Sequence, residues 1–227
     1  MTITFKEKIN SSRINEKDVD DLFDFLINNR SYIYATFSIL HKKRKPIDEV
    51  KINQIINSKK EISILKAEEL KELDKYINLM GNFYKCDLDI LGNRRGRLLE
   101  KLILVNGPIN NIRDFNVLEE VIICNDGIEI STRDLDILFY GDKVEIHECK
   151  STVENVIRSP ISPEDKEKMG LMCKTKMLIE IDNVECNIYI STYTLDIRNY
   201  TQQVLHNHGF SDIKILSGNE IISCFCN

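Results

Sequence analysis

Residues 134–150 read DLDILFYGDKVEIHECK, with apolar and polar residues alternating on both sides of Gly141-Asp142. A two-residue glycine–aspartate step between alternating segments is typical of a tight hairpin turn. The pattern therefore predicts two antiparallel strands, one over Thr132–Tyr140 and the other over Lys143–Lys150.

Charged residues interrupt these two apolar strands in one small region. Side chains alternate across a strand, and a hairpin turning at Gly141 brings Asp136 close to Glu148, with Lys150 on the same face as Glu148. Two neighbouring carboxylates repel each other, and charges among apolar residues are costly to bury unless they are paired or metal-bound. Oxygen ligands of this kind suit Mg²⁺ or Mn²⁺ rather than zinc. The pattern predicts a divalent metal site, with Lys150 placed to stabilise negative charge on a phosphoryl group.

Helices and strands alternate on either side of the hairpin. The hydrophobic spacing and the turn residues predict a helix over Arg95–Val105, a strand over Val117–Cys124, a helix over Pro163–Ile181, a strand over Val184–Ser191, a helix over Asn199–His206 and a strand over Ile213–Leu216. The resulting order is helix, three strands, helix, strand, helix, strand. This order predicts an α/β fold.

Residues 1–90 have a different pattern. Only one of the nine glycines, Gly81, precedes residue 92, and Pro46 is the only proline before residue 108. Segments without these residues favour helix, and apolar spacing predicts helices over Asp18–Ile27, Ile47–Ile56 and Ile64–Leu79, with a short strand over Thr2–Phe5. We therefore divide the chain into an N-terminal helical region, residues 1–90, and a second domain, residues 91–227.

The hairpin and the helix before it resemble the PD-(D/E)XK nuclease superfamily, which has the restriction-endonuclease-like fold. The resemblance rests on Asp136 one hairpin before Glu148-Cys149-Lys150, and on Gly96-Arg-Leu-Leu-Glu100 upstream. It covers residues 92–217 and looks closest to the nuclease domains of CRISPR-associated and other anti-phage effectors. The proline that the family places before its first acid is absent here, since Leu135 occupies that position.

The resemblance implies a role for each of these residues. Asp136 and Glu148 would bind Mg²⁺ or Mn²⁺ together with the main-chain carbonyl of Cys149. Lys150 would be the catalytic lysine, and Glu100 an additional metal-binding or water-positioning acid. The implied activity is endonucleolytic hydrolysis of phosphodiester bonds in DNA, in anti-phage defence.

Charge is distributed unevenly along the chain, whose net charge is −5. Residues 1–115 carry 21 basic and 17 acidic side chains, whereas residues 116–227 carry 10 and 19. The acidic half contains the predicted metal site, so basic residues of the other half are expected to hold a polyanion. The candidates for nucleic-acid binding are Lys42, Lys43, Arg44, Lys45, Arg94, Arg95 and Arg97.

Three alternatives remain open on these residues. The nuclease fold could be catalytically inactive and serve as a nucleic-acid-binding or assembly module. Residues 1–90 could form a homodimer contact or recruit a protein partner. The substrate could be RNA rather than DNA, which keeps the protein within the same enzyme class.

Composition sets the cellular context. The chain is 42% hydrophobic and 30% charged, which is ordinary globular composition and excludes a disordered chain. It has no apolar run approaching the ~18 residues of a membrane span, and its first residues are not a signal peptide. Seven cysteines without a CxxC pair indicate reduced thiols. We expect a cytoplasmic protein that is not associated with a membrane.

Overall fold

The computed structural model describes residues 2–8, 16–63, 65–156, 161–197 and 199–225. The fold is built on one mixed sheet of seven strands, with helices on both faces. The predicted α/β class is confirmed.

The strands lie in two groups within the sheet. They are β1 (Ile3–Glu7), β2 (Asn116–Asn125), β3 (Ile128–Glu129), β4 (Leu135–Tyr140), β5 (Val144–Lys150), β6 (Cys186–Thr192) and β7 (Ile213–Leu216). The order is β1-β2-β4-β5-β6-β7, and β3 pairs with β2. The strands from β1 to β5 pair antiparallel, whereas β6 is parallel to β5 and β7 is parallel to β6.

Helices occupy most of the remaining chain. They are α1 (Lys17–Asn28), a 3₁₀ turn (Arg30–Tyr32), α2 (Ile33–Lys42), α3 (Glu49–Asn57), α4 (Lys60–Ser63), α5 (Ala67–Leu70), α6 (Leu73–Tyr84), α7 (Leu88–Asn106), α8 (Val153–Val156), α9 (Pro163–Glu180), α10 (Asn199–Asn207) and α11 (Gly218–Phe225). Within the described residues, none of them combines the length and the apolar composition needed to cross a membrane.

The predicted elements around the hairpin agree with these bounds to within a few residues. The start of α9 is also as expected, because Ser162 Oγ accepts the N–H of Asp165 at 3.0 Å and Pro163 occupies the first turn. Two helix predictions were less accurate. Helix α7 begins at Leu88, nearly two turns before the predicted start at Arg95, and the segment expected to be one helix up to Leu79 is divided into α5 and α6. Ile64, the predicted start of that helix, lies outside the described residues.

Two hydrophobic clusters sandwich the sheet. One cluster joins the N-terminal helices and α7 to β4, and includes Leu22, Leu99 and Ile137. The other lies between the sheet and α9, and includes Ile146 and Met172. The predicted boundary at residues 90–91 falls inside α7, so residues on both sides of it share the first cluster.

Arg95 links the N-terminal helices to the end of β5. It is 5% exposed, and its Nη2 donates to the carbonyl oxygens of Leu40 at 2.7 Å and Ser151 at 3.5 Å. Its own carbonyl accepts the hydroxyl of Tyr193 at 2.9 Å. This placement corrects the expectation that Arg95 contacts nucleic acid, because a buried guanidinium engaged with internal carbonyls is not available at the surface.

The β4–β5 hairpin is present as the sequence predicts, but its loop is one residue longer than the expected Gly141-Asp142 turn, because Tyr140 lies opposite Val144 and Lys143 belongs to the loop. At the turn, the N–H of Gly141 donates to the carbonyl of Lys143 at 2.9 Å. A Cβ atom on Gly141 would lie 2.5 Å from the carbonyl oxygen of Arg113. Only glycine therefore lets the turn pack this closely on the loop that precedes β2.

We expect Gly141→Ala to lower the free energy of unfolding by about 1–3 kcal/mol, because the backbone must shift to accept the methyl group. Urea unfolding followed by circular dichroism measures this change. Gly170→Ala in α9 is the matched control, since outside the backbone of its own helix no atom lies within 4 Å of the position that the methyl group would take, and alanine should be neutral or stabilise the helix by up to ~1 kcal/mol. Equal stability of the two variants would contradict the close approach at the turn.

Candidate active site

Two carboxylates lie side by side on the central strands. Ile137 of β4 pairs with His147 of β5. Asp136 and Glu148 each lie one residue further from the turn, so they are opposite each other. Glu148 is 2% exposed. The N–H of Cys149 donates to Oδ2 of Asp136 at 2.7 Å, which fixes this carboxylate against the end of β5. The structure thus brings the two predicted acids together at the edge of the apolar layer under α9.

Lys150 joins this pair from the same strand. Its Nζ lies 3.2 Å from Oε1 of Glu148 and 3.2 Å from Oδ1 of Asp165, a residue in the first turn of α9. Burial disfavours the charged ammonium, but the charges of Glu148 and Asp165 outweigh it and raise the pKa of Lys150. The side chain is therefore held as a cation next to the carboxylates.

Lys168 of α9 is the residue that sequence reasoning missed. Its Nζ lies 2.8 Å from Oδ1 of Asp136 and 2.9 Å from Oε2 of Glu148, so one ammonium bridges both carboxylates. These charges overcome the effect of burial and raise the pKa of Lys168 well above its ordinary value. One signal was present in the sequence, since Lys168 lies three residues after Asp165 and four before the buried Met172, on one side of the helix.

The bridge leaves one oxygen incompletely satisfied. The contact of Lys168 with Oε2 of Glu148 is an ion pair without hydrogen-bond alignment, so this buried oxygen has no directed hydrogen bond among the described residues. Burial, and then the negative charge of Asp136, raise the pKa of Glu148 to about 8. Lys168 and Lys150 oppose this shift only in part. Glu148 therefore takes up a proton more readily than an exposed glutamate does.

Glu100 of α7 lies near Asp136. Burial first, and then the charge of Asp136, raise the pKa of Glu100. Its Oε2 accepts a hydrogen bond from Nη1 of Arg97 at 3.0 Å, and the same nitrogen donates to Glu119 at 2.6 Å. Arg97 therefore borders the site, as the sequence suggested, but it is engaged with two carboxylates.

Arg94 is also held by internal partners. Its guanidinium lies 3.1 Å from Glu16 and 2.6 Å from Asp18, and it donates to two carbonyl oxygens at the end of α6. The side chain is 12% exposed. These contacts attach α7 to the start of α1, so the structure does not place Arg94 as a surface cation for nucleic acid.

The Lys42–Lys45 segment has the exposure expected of a binding surface. Lys42 and Lys45 are exposed, and Lys43 is half-buried. Arg44 pairs with Glu154 of α8 at 3.1 Å, four residues beyond Lys150, so the segment lies beside the chain that leaves β5.

Lys59 extends this segment in space. It donates to Ser38 Oγ at 2.8 Å, and burial together with the positive charge of Lys42 lowers the pKa of Lys59. We call Lys42, Lys43, Lys45 and Lys59 the basic patch. Lys59 was not a candidate from the sequence, because it is separated from the others by α3.

The opposite face of β5 carries a separate buried network. His147 lies 2.8 Å from Ser191 Oγ through Nδ1 and 2.7 Å from Oε1 of Glu145 through Nε2. Glu145 also accepts the N–H groups of Ile109 and Asn110. The serine, histidine and acid are completely buried, so no substrate reaches them, and the network instead fixes the loop after α7 to the sheet.

The donor set at Asp136 and Glu148 fits a hard divalent cation. Both side chains offer oxygen, and Oε2 of Glu148 is buried without a directed hydrogen bond. In the described part of the chain, no three His, Cys, Asp or Glu side chains are grouped to hold a metal. A metal at this position would therefore take its remaining ligands from the main chain and from water.

No protein-family model matches this chain, and no curated protein matches its sequence.

The raised pKa of Glu148 predicts the pH dependence of stability. A carboxyl whose pKa increases on folding from 4.5 to about 8 binds more protons in the native state within that window. The free energy of unfolding of the metal-free protein should therefore fall as pH rises through it, by on the order of 1–3 kcal/mol. Urea unfolding in EDTA at about pH 5, 6.5 and 8.5 measures the slope.

Glu148→Gln should flatten this slope, because glutamine mimics the protonated acid at every pH. Glu185→Gln is the control, since Glu185 is exposed, pairs with Lys143 at the other end of β5 and has a lowered pKa that places its titration below the window. If Glu148→Gln kept the slope of the wild type, this result would contradict a raised pKa of Glu148.

Proposed function

We propose that this protein is a Mg²⁺- or Mn²⁺-dependent endonuclease of the PD-(D/E)XK type that hydrolyses phosphodiester bonds in DNA. The observation that carries the proposal is the convergence of Asp136, Glu148 and Lys150 in one nearly buried site, where burial and then the charge of Asp136 raise the pKa of Glu148. Cytoplasmic anti-phage defence belongs to the same proposal through the resemblance of the motif.

The order of elements supports a restriction-endonuclease-like core. Apart from the two-residue β3 and the four-residue α8, helix α7 is followed by β2, β4 and β5, then by α9 and β6, which is the order of helix, three strands, helix and strand that the resemblance implies. Residues of the proposed site come from α7, β4, β5 and α9, so the core elements meet where the chemistry is proposed.

Asp136, Glu148 and the main-chain carbonyl of Cys149 are the ligands that we propose for the metal. When bound, the ion would polarise a phosphoryl oxygen and lower the pKa of a coordinated water. The oxygen-only set is the one that Mg²⁺ and Mn²⁺ prefer.

The protein's own side chains supply the remaining functions. Lys150 is held as a cation by Glu148 and Asp165, and in the proposed reaction it stabilises negative charge that develops on the phosphoryl group. Glu100 has a raised pKa and a partner in Arg97, which suits an acid that positions a water molecule or holds its proton.

We expect Asp136→Asn, Glu148→Gln and Lys150→Met each to reduce cleavage by on the order of 100-fold or more, since even the outer partners of metal ligands often contribute 10–100-fold. The measurement is incubation of the purified protein with plasmid, single-stranded DNA and RNA, each in Mg²⁺, Mn²⁺ or EDTA. These near-isosteric changes keep the shape of each side chain, and circular dichroism checks that the variants fold.

Glu185→Gln is the matched control and should cut at the rate of the wild type. Cleavage that persists in EDTA, or in Glu148→Gln, would contradict the proposed chemistry. Binding of nucleic acid by the wild type without metal-dependent cleavage would instead support an inactive nuclease-fold module, and cleavage confined to RNA would change the substrate class.

We further propose that the basic patch is the substrate clamp. Within the described residues, Lys42, Lys43 and Lys45 form no ion pair, in contrast to Arg94 and Arg97. The patch adjoins the chain after Lys150 through the contact of Arg44 with Glu154. Positive charge there would offset the acidic surroundings of Asp136 and Glu148 when a phosphate backbone approaches.

Replacement of Lys42, Lys43 and Lys45 together by glutamine should weaken DNA binding and flatten its salt dependence. Each lost phosphate contact reduces the slope of log affinity against log salt by about 0.9. Fluorescence anisotropy with a labelled duplex in EDTA measures both quantities without cleavage.

The charge-matched control replaces the exposed Lys71, Lys85 and Lys174 by glutamine. An equal loss in both triple variants would mean that net charge, and not the basic patch, determines affinity. Unchanged binding in the patch variant would favour the alternative that residues 1–90 serve a homodimer or a protein partner.

A further inference from the structure

The oxygens of the two central carboxylates all have named neighbours in the structure. Oδ2 of Asp136 accepts the N–H of Cys149, and Oε1 of Glu148 lies near Lys150. The remaining two oxygens, Oδ1 of Asp136 and Oε2 of Glu148, both face the Nζ of Lys168, at 2.8 and 2.9 Å. The position between the carboxylates is therefore held by an ammonium ion that belongs to the chain.

We propose that Lys168 is a displaceable counter-ion, which holds Asp136 and Glu148 together in the metal-free protein and must leave its place between them when a divalent cation binds. The inference rests on the proposed function, because it concerns the same metal site. Lys168 is thus a positioning residue with two states rather than a ligand.

The neighbours of Lys168 indicate where its charge is used after displacement. Glu164 and Glu167 of α9 pair with Arg133, and Asp165 pairs with Lys150. The acids near Lys168 on its own helix already have cationic partners. A phosphodiester brought to the metal supplies a new anion, so we infer that metal and phosphate bind cooperatively, with Lys168 passing from the carboxylates to the substrate.

Mn²⁺ titration of the metal-free protein, by calorimetry and by thermal shift, tests the first step. Lys168→Met should bind Mn²⁺ on the order of tenfold more tightly than the wild type, because no resident cation has to be displaced. The same variant should have a lower melting temperature in EDTA, since the two carboxylates then lack their shared partner. Lys174→Met, an exposed change on the same helix, should match the wild type.

Lys150→Met separates displacement from a general charge effect. It removes a charge beside the same Glu148 but not the group between the carboxylates, so it should tighten Mn²⁺ binding less than Lys168→Met does. The difference should persist at high salt, which screens longer-range effects. Equal tightening in both variants, or no tightening in Lys168→Met, would overturn the inference.

Lys168→Arg covers the case in which the methionine variant does not fold. It keeps the charge, and should bind Mn²⁺ no more tightly than the wild type; tighter binding would count against displacement. The failure of the proposed function looks different, since the wild type and Glu148→Gln would then both show no Mn²⁺-induced thermal shift.

The second step is tested with Ca²⁺, whose geometry and weaker Lewis acidity support little cleavage. Duplex DNA should increase the affinity of the wild type for Ca²⁺, and Lys168→Met should lose most of this coupling. Coupling of equal size in both proteins would show that Lys168 does not contact the phosphate.

Discussion

The arrangement of this protein depends on the repulsion between Asp136 and Glu148. Antiparallel pairing of β4 with β5 places the two carboxylates opposite each other in a nearly buried position, where water screens their charges poorly. Lys150 of β5 and Lys168 of α9 place positive charge beside the two carboxylates. Arg97 of α7 pairs with Glu100, the neighbouring acid. Helix α9 is thereby fixed over the sheet by charge as well as by apolar packing.

The same sheet uses its two faces for different purposes. The face under α9 concentrates ions that a metal or a phosphate would rearrange, whereas the other face holds the fully buried pair of Glu145 and His147 together with the core of the N-terminal helices. Arg95 also donates to the carbonyl of Ser151, the residue after Lys150. The N-terminal helices therefore support β5 on the face of the sheet opposite α9. Such support limits movement of the backbone while the side chains exchange partners.

Sequence reasoning succeeded where the determining interactions are local. The alternation of residues around Gly141 specified the hairpin, and Ser162 with Pro163 specified the start of α9. It failed where partners are distant in the chain. Lys168 meets Asp136 across 32 residues, and an arginine on an amphipathic helix has the same sequence pattern whether it faces solvent or, like Arg95, internal carbonyls.

Strand β1 has a consequence for the order of assembly. Ile3 pairs with Asn125 and Glu7 with Val121, so during synthesis β1 has to wait until β2 has emerged before it finds its neighbour. Contacts this far apart in sequence form slowly, since a long loop must close first. During that interval the backbone of β1 is an open edge, and residues 3–7 are the part of the nascent chain that we expect to need protection from association with other chains.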